Sequence, residues 1–269
     1  MNSALLFLTL PKKSMISENA MGSLETSINN RVATVTFSHP SSNSFPRELL
    51  NRLTAEFSIL DQNSNVSVIV IQSSGTGAFC AGASFDELLA VQDEAAGTHF
   101  FSGFANLINA MRNCSKLIIG RVHGKAVGGG VGIASACDYV MATQHAAIKL
   151  SELAIGIGPF VIEPAVTRKI GKTAMSEMTL AAQEWKSAEW AKSKGLYAVV
   201  CDTIEELDLE VSKFSNTLSS YNPEALLEMK KVLWEGTQNW DTLLLDRAAI
   251  SGKLVLSDFT KNALAQFKK

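Results

Sequence analysis

The 269-residue sequence predicts an α/β fold followed by a mainly helical C-terminal region, on three observations. Residues 66–71 are apolar almost without interruption, the pattern of a strand covered by helices on both faces. Short buried-strand signals at residues 117–119, 139–142 and 148–150 alternate with turns and an amphipathic stretch. Beyond Cys201 the strand signal fades and helix signals replace it.

In chain order, the apolar run Leu5, Leu6, Phe7 and Leu8 precedes Pro11, Lys12 and Lys13. No basic segment precedes this run, it is far shorter than a membrane span, and no small-x-small cleavage site follows promptly. Residues 1–21 therefore read as a disordered leader or the product of an upstream start, with Met21 the true beginning. Residues 22–202 form the expected core and residues 203–269 the expected helical region.

Residues 24–28 and 31–37 are β-rich, and the pair Asn29-Asn30 between them suits a tight hairpin turn. In the second run Ala33, Val35 and Phe37 share one face. A helix is expected from about Pro46, placed at the first helical position, with Ser44 as its N-cap and Leu49, Leu50, Leu53, Phe57 and Leu60 on one stripe. Phe100, Phe104, Leu107, Ile108 and Met111 mark a second amphipathic helix. Glu205, Glu206, Asp208 and Glu210 open another, and Asn222-Pro223 starts one that carries Leu226, Met229 and Leu233. No linker rich in Pro, Gly or Ser separates these helices from the core, so they are expected to dock on it or on a neighbouring subunit.

A hydrophobic content of 46% can fill a core of this size, and a net charge of -2 with a pI near 6.1 gives no reason to expect nucleic acid or a membrane as partner. Cys80, Cys114, Cys137 and Cys201 lie far apart, as do His39, His99, His123 and His145, and neither set has metal-ligand spacing. The cysteines read as reduced core thiols, and a cytoplasmic protein without a metal is expected.

Two stretches put small residues where a backbone must approach something closely. One is residues 78–85, after the buried strand, with Cys80, Ala81, Gly82 and Ala83; the other is residues 124–132, with Gly128, Gly129, Gly130 and Gly132, running into a helix-compatible segment. Free N–H groups at a helix start hold negative charge. Either stretch alone serves turns and close packing as well as it serves a ligand. Neither is a phosphate loop, because no Gly-Lys-Ser/Thr follows, nor a dinucleotide fingerprint, because the spacing is not G-x-G-x-x-G.

Together and in order, the two stretches resemble the crotonase, or enoyl-CoA hydratase/isomerase, superfamily. Phe-x-Ala-Gly-x-Asp corresponds to residues 79–84, Gly-x-Ala-x-Gly-Gly-Gly to residues 124–130, and a later signature to Ser187, Ala188, Glu189, Ala191, Gly195 and Leu196. The resemblance covers residues 24–269 and implies a crotonase-like spiral of ββα units with a C-terminal helical trimerisation region, the trimers often paired into hexamers. It implies an acyl-CoA thioester as substrate, with coenzyme A part of that substrate and no separate cofactor, nicotinamide or flavin.

The same resemblance implies that the N–H groups of Ala83 and Gly129 hold the thioester oxygen as it becomes an oxyanion. Hydratases of the family carry two catalytic glutamates. The first position falls on Gly132 and the second on Glu152. Migration of a double bond from C3 to C2 needs one base, so a single-glutamate isomerisation is favoured, with hydration, decarboxylation, thioester hydrolysis, dehalogenation or inactive acyl-CoA binding as alternatives. The loop containing Pro159 and Phe160 lacks the Gly-Gly of many hydratases and resembles some isomerases, and Glu163 replaces the missing acid if that loop folds inward. Ser84 stands where an aspartate is common, and His123, where asparagine is common, reads as structural. Cys80, Ala81, Gly82, Gly128, Gly132, Pro159 and Phe160 are expected to line the substrate site, and Lys261, Lys268 and Lys269 are candidates for the coenzyme phosphates.

Overall fold

The computed structural model describes residues 21–266. The expected leader, apart from Met21, lies outside the described residues, as do Lys268 and Lys269. Strand β1 (Ser23–Asn29) pairs antiparallel with β2 (Val32–Ser38). Because Asn29 pairs with Val32, the turn residues are Asn30 and Arg31, at φ 48° and 65°, and not Asn29-Asn30 as expected. Two consecutive positive-φ residues make the hairpin turn whose twist matches its strands. Arg31 tolerates the position because Ser67 holds it: its Nε donates to Ser67 Oγ at 2.8 Å and its carbonyl accepts from the Ser67 N–H at 2.8 Å.

Helix α1 (Arg47–Gln62) buries the expected stripe of Leu49, Leu50, Leu53, Phe57 and Leu60, each side chain contributing about 1.5–3 kcal/mol when fully removed from water. Its start differs from expectation. Pro46 precedes the first helical residue, and Ser44 Oγ lies 3.1 Å from His39 Nδ1 rather than capping. The cap comes from a distant carboxylate, Glu87 Oε2, which accepts from the Arg47 N–H at 2.8 Å.

Strand β3 (Val68–Ser73) follows, then the short α2 (Phe85–Leu89), the long α3 (Glu94–Asn113), β4 (Leu117–Val122), β5 (Ala126–Val127), α4 (Gly129–Ala136), β6 (Tyr139–Thr143) and β7 (Ile148–Lys149). A 3-10 turn (Glu152–Ile155), α5 (Glu163–Leu180), α6 (Ala188–Ser193) and β8 (Val199–Cys201) follow. The main sheet has the order β1-β2-β3-β4-β6-β8, parallel except for its first pair. The apolar run of β3 has the predicted cause: Ile69 and Ile71 face α1 and α3, whereas Val68 and Val70 face Leu207 and Val211 of α7 (Ile204–Ser219). Helices therefore cover both faces, as strand parallelism demands.

Helices α8 (Pro223–Leu233), α9 (Trp240–Leu254) and α10 (Asp258–Gln266) dock on this chain's own core. Asn222 caps α8 by accepting from the Glu224 N–H at 2.9 Å. Helix α9 lies against α3 where Gly97 meets Gly252; a Cβ on Gly97 would fall 2.6 Å from the Gly252 carbonyl oxygen. Helix α10 backs the 3-10 turn, with Thr260 and Phe259 beside Gly156. Among the described residues no helix is long and apolar enough to cross a membrane, and the four cysteines are free and buried.

Candidate active site

Three loops at the strand ends are stitched into one small structure. The Cys80 N–H donates to the Lys125 carbonyl at 3.2 Å and the Val127 N–H to the Cys80 carbonyl at 2.9 Å, fastening the first small-residue stretch to the second. β5 then pairs with β7, and the Gly128 N–H donates to the Lys149 carbonyl at 2.9 Å. Because the chain enters its 3-10 turn just after β7, Glu152 arrives beside Gly128. Backbone pairing thus brings together residues that the sequence holds far apart.

The glycines have separate reasons. Gly128 adopts φ 51°, ψ -117°, and a Cβ there would stand 2.8 Å from Glu152 Oε1. Gly82 has φ 92°, and a Cβ there would lie 3.0 Å from the Val127 carbonyl oxygen and 3.8 Å from the Gly129 nitrogen. At Gly129 the obstacle is the Phe104 ring, 2.2 Å from a hypothetical Cβ.

A cavity of about 110 Å³ opens between these loops. Ala81, Gly82, Ala83, Gly128, Gly129, Glu152, Pro159 and Phe160 line it. Its far wall is apolar, made by Leu88, Phe101, Phe104, Ile157, Val161 and Ile162, and α9 contributes Ser251. Cys80 is buried behind the wall, its carbonyl and N–H committed to Val127 and Lys125.

The first donor geometry follows from the pairing of Phe45 with Ala83. Phe45 exchanges bonds with Gly82 and Ser84 at 2.8 and 2.9 Å, which turns the intervening Ala83 N–H away from that strand. Gly129 is the first residue of α4, so its N–H has no partner within the helix. Neither N–H donates to a backbone carbonyl among the described residues. Both belong to residues that line the cavity, and the helix start adds a positive partial charge to one of them.

Glu152 is the single ionisable group among the cavity-lining residues. The residue is half-buried, yet its Oε2 is closed off from solvent and has no hydrogen-bond partner. Burial pushes its pKa up to about 7, against a smaller opposing hydrogen bond from its own backbone. A carboxyl poised near neutrality can both take and return a proton.

Several expected participants stand elsewhere. Gly132 does not line the cavity, because Ile162 covers it; a Cβ on Gly132 would come 2.3 Å from Ile162 Cγ2. Glu163 does not fold inward to replace an acid: it pairs with Arg247 and accepts from Thr167 Oγ1 at 2.6 Å. Lys261 is exposed on α10, away from the cavity lining. Ser84 caps α2, its Oγ accepting from the Glu87 N–H at 3.4 Å. His123 is buried at a strand end, 3.1 Å from Arg121 Nη1, and burial together with that guanidinium pulls its pKa down to about 4.

A family model for enoyl-CoA hydratase/isomerase matches residues 27–254. The chain belongs to this family, within the crotonase superfamily. Among its curated relatives, the peroxisomal Delta(3,5)-Delta(2,4)-dienoyl-CoA isomerase of Arabidopsis thaliana is 26% identical over 82% of this chain and 86% of its own length. The mitochondrial methylglutaconyl-CoA hydratase of Mus musculus is 29% identical over 70% of this chain and 60% of its own length. The mitochondrial enoyl-CoA hydratase of Pongo abelii is 28% identical over 87% of this chain and 78% of its own length. The solved structure of an enoyl-CoA hydratase from Bacillus halodurans superposes with a TM-score of 0.83 at 21% identity, over 90% of this chain and 99% of that one. In this member of the hydratase/isomerase family, sequence reasoning missed Phe101, Phe104, Ile162 and Ser251 as parts of the wall. Phe104 carried a signal, its place on an amphipathic stripe, but a stripe does not say which of its members face a cavity.

Proposed function

We propose that the protein is a 3-enoyl-CoA to 2-enoyl-CoA isomerase that works with one base. The observation that carries this reading is the enclosed carboxylate of Glu152, the single ionisable group in the cavity lining, beside Ala83 and Gly129 with their uncommitted N–H groups. The thioester carbonyl oxygen lies between those two donors. Glu152 takes a proton from C2, and the electron pair of that C–H bond delocalises over the dienolate onto the oxygen. Each donor contributes more as the oxygen gains charge, about 3 kcal/mol in the transition state. The proton held on Glu152 returns to C4, the dienolate collapses to a C2=C3 double bond, and no proton or electron is left over.

The acyl group that fits is uncharged. The far wall offers Phe101, Phe104, Val161 and Ile162 and no cation, so an acyl carboxylate would be desolvated without a partner. Carboxylated enoyl thioesters are expected to turn over at least about 100-fold less efficiently than neutral short ones in kcat/KM, since an unpaired buried charge costs several kcal/mol. Comparable values for the two classes would exclude this pocket reading.

The coenzyme phosphates are solvent-facing in this reading, with Lys261 and Lys268 as candidate contacts. Met229, Val232 and Leu233 expose 46, 54 and 43% of their surface on α8, which supports self-association into trimers or hexamers. The decisive assay is the ultraviolet absorbance of the conjugated enoyl thioester. Mixing with 3-enoyl-CoA is expected to raise it; a fall with 2-enoyl-CoA and no rise with 3-enoyl-CoA would replace isomerisation by hydration.

A further inference from the structure

We propose that Ile162 sets which reaction this site performs, by filling the volume beside Gly132 in which a second carboxylate and the water it holds would stand. The inference rests on the one-base reading and names the side chain that enforces it. Ile162 is 4% exposed, caps the start of α5 and lines the cavity. From a Cβ on Gly132 its Cγ2 would be 2.3 Å away and its Cβ 2.6 Å, whereas its Cα would be 3.7 Å away. The obstruction is therefore the side chain and not the backbone.

Ile162 cannot step aside easily. A β-branched side chain has few χ1 rotamers, and its residue is held by the helix it opens: the Val166 N–H donates to the Ile162 carbonyl at 3.0 Å, and the Glu163 N–H donates to the Pro159 carbonyl at 2.9 Å. Helix α5 packs on α4 at this point. With Val161 it forms an apolar wall, and a water needs two or more polar partners that such a wall lacks. Hydration at C3 is thereby denied both its water and its second proton-transfer group, while proton shuttling by Glu152 is left intact.

The test is a pair of cycles. Gly132→Ala is expected to lower the thermal midpoint strongly in the wild-type background and far less in an Ile162→Gly background, glycine being tolerated at a helix N-cap. Gly132→Glu combined with Ile162→Gly is expected to raise 2-enoyl-CoA hydration at least about tenfold above the wild type and both single variants, a small part of what a positioned acid or base supplies. Three results overturn the proposal: no coupling in the thermal cycle, equal hydration by Gly132→Glu alone, or a folded, isomerising double variant without the gain. Thermal coupling and the hydration gain in a protein whose wild type isomerises nothing would instead remove the one-base function and leave the role of Ile162 standing.

Discussion

Glu152→Gln is expected to lower isomerase kcat by on the order of 10²–10⁴ while making the protein more stable at pH 8. Both effects have one cause. The carboxyl is enclosed with Oε2 unpartnered, and burial holds its pKa up at about 7 from 4.5. The folded state thus favours the neutral form. The stability this provides is complete below about pH 4.5, where both states are protonated, and is lost as pH rises toward the folded value of about 7. Above that, ionised Glu152 costs the fold up to about 3 kcal/mol at 1.36 kcal/mol per pKa unit. A neutral amide of the same shape avoids that cost, so the stability difference in favour of the variant is expected to grow between pH 4.5 and 7 and vanish below. Urea unfolding across this range measures it. The rate of the wild type has the complementary profile, rising with pH to a plateau above about 7, because only the carboxylate abstracts a proton. A variant with full activity would show that Glu152 is not the base; one whose stability advantage is independent of pH would show that burial does not hold its carboxyl neutral.

The legible parts of the molecule are those fixed by local pattern. The two-sided burial of β3 was readable because every residue of a run covered on both faces must be apolar. The stripe of α1 was readable from its period. The small-residue loops around Ala83 and Gly129 show in the sequence because close backbone approach leaves a trace in residue size. Its purpose differs at each glycine, and only three-dimensional contact distinguishes the Gly128 that makes room for Glu152 from the Gly129 that makes room for Phe104.

What stayed hidden depends on residues distant in sequence. Ser44 looked like an N-cap, but the Arg47 N–H is satisfied by Glu87, which no local rule can select. The hairpin shifted by one position because Ser67 secures Arg31 in a conformation that its type rarely adopts. The resemblance alone singles out Gly132, as a position where hydratases carry a carboxylate; that Ile162 packs against it was not legible, since nothing in an apolar residue before a helix reports what it covers.

The largest effect on folding is expected from Asp138, which sits where α4 passes into β6. Its Oδ2 accepts from Lys230 Nζ and from the Ile118 N–H, both at 2.7 Å, its Oδ1 accepts from Trp234 Nε1 at 2.6 Å, and its carbonyl accepts from Lys169 Nζ at 2.8 Å. The side chains of Asp138 and Lys230 are 4 and 3% exposed. Arg168 lies 3.9 Å over the Trp234 ring, and burial with that guanidinium nearby pulls Lys169 down to about 8. One carboxylate thus pairs with Lys230 and acts at longer range on Arg168 and Lys169. Removing one partner of a buried pair costs about 3–5 kcal/mol, because the other is left charged and dry. Asp138→Ala is expected at the upper end of that range and Lys230→Met at the lower, since Asp138 keeps two donors when the lysine is lost but three cations lose their anion when the aspartate is. Denaturation at fixed protein concentration checks the order; equal losses would mean that the cations relax to solvent. The network also ties α8 to the C-terminal end of α4, the helix whose first N–H belongs to Gly129. Loosening it is expected to lower kcat more than it raises KM, because a donor displaced by a fraction of an ångström weakens its grip on the oxyanion more than on the neutral thioester.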